Sequence, residues 1–438
     1  MTDPSSPPPM SPPRMSPPGM SSPVLSPPTR KNPLLRAPQP LLPPQARSRT
    51  ALGLLGPAAA GRFALQVCGQ CGTVAYPPRD ACGQCLSADL TFQDVDPRGI
   101  LLCETTVHVS SEPYFRERAP WRTGIVALDA GPRVITHLHR DCREGAAVRL
   151  ALKLDTGGRP VMIALPPTDG PAMADDPVLR TLTASPEFRR VLVTDGRDAV
   201  GQAVAHGLVK AGAAKVFVGI AEDWKPFPGE DVLRSIPAIE LVPLDLTDDV
   251  SVQNLAASLG AKTDILVNTV AHIRPGGAMD RMGTSTAHEE MERHYFGMMR
   301  LAQSFGPVMK SRGADGANNA VAWVNALSVF ALVNWPAWGA YSAAQAASLS
   351  LAQCLRAELR PGGIRVINAF FGPLETEWFQ ALPPPKVTPA ALAAGIVRAL
   401  ENGLEDVFIG EVAEDIRARL AANPKAVERE LGDNEAWR

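Results

Sequence analysis

A chain of 438 residues, 45% of them hydrophobic, has room for two or three domains that each bury their own core. A formal net charge of −2 gives no electrostatic drive toward nucleic acid or an anionic membrane, and no run of about 18 apolar residues is present to span a bilayer. The N-terminus lacks the apolar stretch of a signal peptide, and four of the seven cysteines fall in two Cys-x-x-Cys pairs. In a soluble intracellular chain such pairs indicate metal rather than disulfide, so a cytoplasmic protein is expected.

The 43 prolines are unevenly spread. Residues 1–50 repeat Ser-Pro-Pro units, which remove backbone donors and block helix at the preceding residue, so a disordered or polyproline-like arm is expected. A solvated tail is the default reading, and a ligand for a proline-binding domain is the alternative.

Residues 51–90 contain GRFALQVCGQCGTVAYPPRDACGQC. Two knuckles on tight Gly-containing turns present Cys68, Cys71, Cys82 and Cys85 to one zinc ion, and four thiolates leave no open position, so the zinc is structural. The isolated Cys103, Cys142 and Cys354 are expected to be small core residues. Residues 91–168 then carry five short alternating runs, from Ile100, Thr123, Val134, Val148 and Val161, with Gly and Pro at several of the turns. Five strands after a ribbon suggest a closed barrel of OB type. Ribbon and barrel together resemble the zinc-ribbon/OB-fold family that binds acyl-CoA and accompanies thiolases, acyltransferases and steroid side-chain aldolases. The lead-in GRFALQVC, the first knuckle with Pro-Pro-Arg after it, and LDAGPRVITHL carry the resemblance. OB barrels also bind oligonucleotides, but ten Lys/Arg against seven Asp/Glu over residues 98–165, with no basic stripe interleaved with aromatics, argue against it. The cluster Tyr114, Phe115, Arg116, Arg118, Trp121 and Arg122 is either a seat for an adenine ring and phosphates or a surface loop anchored by one aromatic.

A linker is expected over residues 169–187, with at most a helical turn. From residue 188 to 412 the pattern becomes βαβ. An apolar strand ends at Ser328, and thirteen residues later Tyr341 opens an Ala-rich helix. That spacing brings two hydroxyls to the C-terminal edge of a parallel sheet, where open α/β folds bind ligands. Here the chain resembles the short-chain dehydrogenase/reductase family, whose pattern is Ser, twelve residues, Tyr-x-x-x-Lys; Gln345 stands at the lysine position. The resemblance implies a doubly wound, seven-stranded parallel sheet with Tyr341 as acid/base and Ser328 holding the substrate carbonyl. A tyrosine titrates near ~10, and a cation about 5 Å away at an effective dielectric of ~20 lowers that by roughly two units. Gln345 supplies no such charge, and a mismatched acid/base loses roughly 10² to 10⁴ in rate.

The cofactor loop is eroded in the same way. The family has Thr-Gly-x-x-x-Gly-x-Gly, so that backbone amides reach a pyrophosphate. Thr194 and Gly201 match, Asp195 and Ala199 replace glycines, and Gly196 allows a shifted turn. Asp195 and Asp198 place carboxylates near the expected phosphates, which disfavours NAD(P). The second strand ends without the carboxylate of an NAD site or the arginine of an NADP site. By resemblance, Asp245 falls at the adenine contact, Asn268 at the end of the fourth strand, and Gly372 and Thr376 in the loop after the sixth. His294 aligns with a catalytic asparagine; it is either a replacement acid/base or a space-filling side chain. Residues 413–438 are expected to form a charged helix or tail broken at Pro424.

These readings imply an acyl-CoA or acyl-carrier thioester-binding accessory protein in lipid or polyketide metabolism, with a degenerate reductase-like domain serving a thiolase-like or aldolase-like partner. The alternative is an active NAD(P)-dependent reductase of a 3-oxoacyl thioester. A homo-oligomer through the helices after His288 and Tyr341 is also implied by the resemblance.

Overall fold

The structure is a computed structural model that describes residues 42–44, 48–170, 173–280, 282–314, 319–380 and 382–433. Nearly all of the expected proline-rich arm lies outside the described residues. The described residues belong to one structural unit, Gln39–Arg438.

The ribbon is a three-stranded antiparallel sheet of β1 (Ala64–Cys68), β2 (Val74–Ala75) and β3 (Leu90–Asp94), in the order β2-β1-β3. Its knuckles are related turns. Gly72 N–H donates to the Cys68 carbonyl at 2.9 Å, and Leu86 N–H donates to the Cys82 carbonyl at 3.0 Å. Both residues sit in the left-handed region, Gly72 at φ 72° and Leu86 at φ 59°. Glycine adopts that conformation without a steric penalty; Leu86 holds it under strain, with its side chain exposed.

The barrel comprises β4 (Arg98–Val107), β5 (Trp121–Leu128), β6 (Arg133–Leu138), β7 (Ala147–Leu154) and β8 (Pro160–Leu165), closed in the order β4-β5-β6-β8-β7. β6 and β8 are parallel and the other pairs are antiparallel, so this is the five-stranded Greek-key arrangement expected of an OB fold. Alternation along β7 sends Val148, Leu150, Leu152 and Leu154 inward, as the two-residue period of a strand requires. Cys142 is buried in this core, whereas Cys103 and Cys354 are exposed, contrary to the expectation that all three fill core space.

The segment after the barrel is more ordered than a linker. Asp176 caps the short helix Pro177–Thr181, accepting from the amides of Val178 and Leu179, and its other oxygen accepts from Arg140 N–H at 2.7 Å. Leu179 and Leu182 pack on Ile163 and Leu165 of β8, so apolar burial fixes this segment to the barrel.

The C-terminal sheet holds β9 (Arg190–Val193), β10 (Lys215–Ile220), β11 (Ile239–Pro243), β12 (Ile265–Asn268), β13 (Ala322–Ser328), β14 (Arg365–Phe371) and β15 (Asp406–Ile409). All pairs are parallel, in the order β11-β10-β9-β12-β13-β14-β15. Helices cover both faces, which is why β12 and β14 are buried along their whole length and read as apolar runs. The order reverses between β9 and β12, the switch point where a ligand crevice is expected. At the opposite edge, buried Asp264 accepts from Arg190 and Arg312 and ties β9, β12 and the helix Gly297–Ser311 together. The N-terminal domains are fixed to this sheet by polar contacts: Arg365 donates to the Leu154 carbonyl at 3.1 Å, Lys153 to the Asn402 carbonyl at 2.9 Å, and Glu405 N–H to the Ala59 carbonyl at 3.1 Å. At the C-terminus Pro424 begins a second helix, Pro424–Asp433, after the helix Glu411–Ala422. A proline at the first helical position lacks only a backbone N–H that no intrahelical bond would use.

Candidate functional site

Ser328 ends β13, and its hydroxyl accepts from Phe330 N–H at 3.2 Å, capping the turn Val329–Ala331. Tyr341 lies in the first turns of the helix Gly339–Leu359, and Gln345, four residues on, faces the same side. His294 arrives from a π-helical turn, Glu292–Phe296, inserted between the helices Ser285–Met291 and Gly297–Ser311. Such an extra residue in a turn re-aims side chains and is frequent at functional sites. The structure therefore brings Ser328, Tyr341, Gln345 and His294 together. All four are buried, with none more than 4% exposed.

The hydrogen bonds among them have only one consistent assignment. His294 Nε2 lies 2.7 Å from the His272 carbonyl, which can only accept, so Nε2 carries the proton. Gln345 Oε1 accepts from Ser328 N–H at 2.9 Å, which turns the Gln345 amide nitrogen toward His294 Nδ1 at 3.1 Å. Nδ1 is then the acceptor and His294 is neutral. Burial reinforces this, drawing its pKa down from 6.5 to about 4. His294 fills the place expected of it, yet both nitrogens are engaged and it is a poor proton acceptor at neutral pH.

Tyr341 sits between the ring edges of His294, at 5.6 Å, and Trp338, at 6.2 Å. Desolvation pushes its pKa well above the ordinary phenol value, a hydrogen bond with Ser328 offsets part of this, and the Glu290 carboxylate adds to the rise. The cation that the family uses against desolvation is replaced by a neutral amide engaged at both ends. Trp335 stacks on Trp338 at 4.5 Å and Trp338 on Phe379 at 5.0 Å, and all three rings are buried beside Tyr341. The tryptophans were not among the site residues expected from sequence; their three-residue spacing just before Tyr341 is the signal that placed them there.

The nucleotide-loop positions form a knot between the C-terminal ends of β9 and β12. Thr194 Oγ1 donates to Asn268 Oδ1 at 3.1 Å and accepts from Thr269 N–H at 3.0 Å. Gly201 is fixed by contact: a Cβ there would lie 1.5 Å from the Asp195 carbonyl oxygen. Gly196 likewise packs against Val218 of β10. The amides at this helix start already have anionic partners. Asp195 Oδ1 accepts from Arg197 N–H at 2.9 Å, and Asp198 Oδ1 from Val200 N–H at 2.8 Å. These carboxylates take two of the donors that a diphosphate would use, and burial raises the Asp195 pKa from 3.8 to about 6. The loop in this form does not fit a pyrophosphate.

Arg197 supplies the arginine that sequence reasoning found missing after β10. It arrives from the β9 loop and donates to the carbonyls of Ala221, Glu222 and Lys225 at 3.2, 3.1 and 2.8 Å, tying that loop to the one after β10. Asp245 accepts from Thr247 within its own turn, Gly372 packs against Val412, and Thr376 Oγ1 is a buried hydroxyl without a hydrogen-bond partner among the described residues. Among the expected cofactor contacts, Thr376 presents a buried hydroxyl without a partner among the described residues.

The ribbon cysteines converge. Their four Sγ atoms lie within 4.8 Å of one another, with Cys68 to Cys85 at 3.5 Å and Cys71 to Cys82 at 3.6 Å. These separations exceed the ~2.05 Å of a disulfide and approach the edge of a tetrahedron with Zn–S bonds of ~2.3 Å. The donor set fits structural zinc. The aromatic part of the barrel cluster stays together, with Tyr114 against Phe115, Phe115 and Trp121 packed with His137, and Arg118 over Tyr114, whereas Arg122 is turned to Glu104 and to the carbonyls of His139, Arg140 and Cys142.

Residues 189–386 match the family model for short chain dehydrogenases. Residues 56–91 match the rubredoxin-like zinc ribbon domain of ChsH2, and residues 92–153 its C-terminal OB-fold domain. The chain is thus a short-chain dehydrogenase domain fused behind a ChsH2-type zinc ribbon and OB fold. Short-chain dehydrogenase PC-15 of Penicillium crustosum is 30% identical over 161 residues, covering 35% of this chain and 56% of that protein. Short-chain dehydrogenase ptmH of Penicillium ochrochloron is 29% identical over 208 residues, covering 45% and 71%. A solved short chain dehydrogenase from Burkholderia cenocepacia J2315, in complex with NADP, is similar at a TM-score of 0.51 and 29% identity, over 56% of this chain and 98% of that one. The chain spans little more than half the length of the first of these relatives. No described helix is long and apolar enough to cross a membrane.

Proposed function

We propose that this chain is an acyl-thioester-binding accessory protein, with CoA or an acyl carrier as the thioester's bearer, which serves a thiolase-like or aldolase-like partner. Its dehydrogenase domain does not run the Ser-Tyr-Lys proton relay. The observation that carries this reading is Gln345, whose amide is engaged by Ser328 N–H and His294 Nδ1 while burial raises the Tyr341 pKa. The ribbon and barrel supply the thioester-binding part by analogy with the ChsH2-type domains they match. Titration of the zinc-loaded protein with NADH and NADPH, read by nicotinamide fluorescence and calorimetry, tests it. The expected result is no binding at millimolar cofactor, and a partner-free protein with robust reductase turnover would refute it.

The second reading is an NAD(P)-dependent reductase of a 3-oxoacyl thioester. It is favoured by the hydrogen bond between Ser328 and Tyr341 and by the NADP held in the similar Burkholderia structure. Under it the buried Ser328 and Tyr341 must become accessible to substrate, and Tyr341→Phe must abolish turnover.

A further inference from the structure

A cleft of about 560 Å³ lies between the barrel, the segment after it, and the edge of the parallel sheet opposite Ser328 and Tyr341. Its lining holds seven arginines against four acidic residues, an excess of positive charge that contrasts with the chain's net −2. Several of those arginines are committed: Arg190 to Asp264, Arg356 to Asp406, and Arg365 to the carbonyls of Leu154 and Leu182. Arg360 is different. The side chain of this half-buried residue makes no hydrogen bond or close ion pair with the described residues, only a longer-range charge interaction with Glu405, and it lies beside Gly158, whose Cβ position would be 3.6 Å from Arg360 Nε.

Two further groups in the cleft lack a use in the fold. Thr156 Oγ1 is buried without a hydrogen-bond partner among the described residues, a cost to the fold unless a ligand or water satisfies it. Phe188, at the rim, is 69% exposed and sits at φ 61°. A bulky side chain in the left-handed region is strained, and such strain clusters at ligand sites. Its backbone is locked there by a 2.8 Å hydrogen bond from Phe188 N–H to the Gly212 carbonyl, so the ring is presented to solvent at the cleft's edge.

We propose that this cleft binds a phosphorylated adenine nucleotide, with phosphate oxygens on Arg360 and Thr156 Oγ1 and the base against Phe188. CoA thioesters and dinucleotides share that chemistry; the proposal commits to the CoA end of an acyl thioester and in this respect rests on the accessory-protein reading above. Guanidinium is suited to phosphate because it donates two parallel hydrogen bonds, and an aromatic ring receives a base by stacking. Because barrel, connecting segment and sheet all contribute to the lining, neither domain alone builds the site.

Calorimetric titration of the full chain with CoA, NADPH and inorganic pyrophosphate, in the native sequence, Arg360→Glu and Phe188→Gly, tests the proposal. CoA is expected to bind the native protein with an affinity that falls with salt, and each substitution should weaken it by about tenfold or more. Phe188→Gly relieves the left-handed strain, so its melting temperature should be kept or raised while affinity drops. That separates loss of the ring from loss of the fold. CoA binding that neither variant weakens overturns the cleft assignment and leaves the accessory reading standing. Absence of CoA binding overturns the cleft assignment and restricts the accessory reading to an acyl carrier. NADPH binding lost in Arg360→Glu, with CoA silent, assigns the cleft to a dinucleotide and overturns the CoA assignment.

Discussion

The neutral His294–Gln345 pair makes stability depend on pH in a way that one substitution isolates. In the folded chain His294 binds a proton only below about 4, whereas unfolded it does so near 6.5. The unfolded state therefore holds more protons between those values, and stability falls as pH drops from about 6.5 toward about 4. At about 1.4 kcal/mol per pH unit, the full shift is worth roughly 3 kcal/mol. Protonation would convert Nδ1 into a donor facing the Gln345 amide nitrogen; relief requires that amide to turn and abandon Ser328 N–H. The charges of Arg293 and of the His272 ring push its pKa the same way as burial, while the hydrogen bond to the His272 carbonyl offsets part of the fall. Asp195 works in the opposite sense, because its raised pKa of about 6 gives stability at low pH that is lost as pH rises through that value. Total stability thus mixes the two, and the comparison with His294→Asn separates them. Urea unfolding followed by tryptophan fluorescence should show the native chain more stable than His294→Asn at pH 7. That gap should shrink by roughly 3 kcal/mol by pH 4. A gap that stays constant with pH would show that His294 is not held neutral by its partners and would refute the assignment.

Gln345→Leu leaves the buried Ser328 N–H and His294 Nδ1 without partners, so denaturation should show a loss of roughly 2–5 kcal/mol; a loss under about 1 kcal/mol would mean that the amide bridge contributes little. Native mass spectrometry should find a single zinc ion per chain, and Cys82→Ser should release it along with the ribbon's amide hydrogen-exchange protection, since binding and folding of such knuckles are coupled. Retention of full protection by the metal-free ribbon would oppose a structural role.

Much of this protein is legible locally. Two Cys-x-x-Cys turns determine a four-sulfur cluster because a knuckle's geometry is set within a few residues, and five alternating runs determine a barrel because inward and outward faces follow the two-residue period. The register of Ser328, Tyr341 and Gln345 follows from a strand end and one helical turn. What the sequence leaves open depends on contacts far apart along the chain. Whether His294 is an acid/base or a neutral partner was decided by the His272 carbonyl and by the amide of Gln345, 51 residues away. The two carboxylates of the β9 loop read as repulsive to phosphate, and the tertiary structure showed that they also occupy the loop's own amides. Arg197 and the basic cleft escaped notice because a guanidinium on a long side chain reaches across elements, and the charge of the cleft sums over residues from three separate segments. Short-range patterns therefore determined the elements and the metal site, whereas the protonation state and the charge environment were decided only by packing, which sets what each polar group meets.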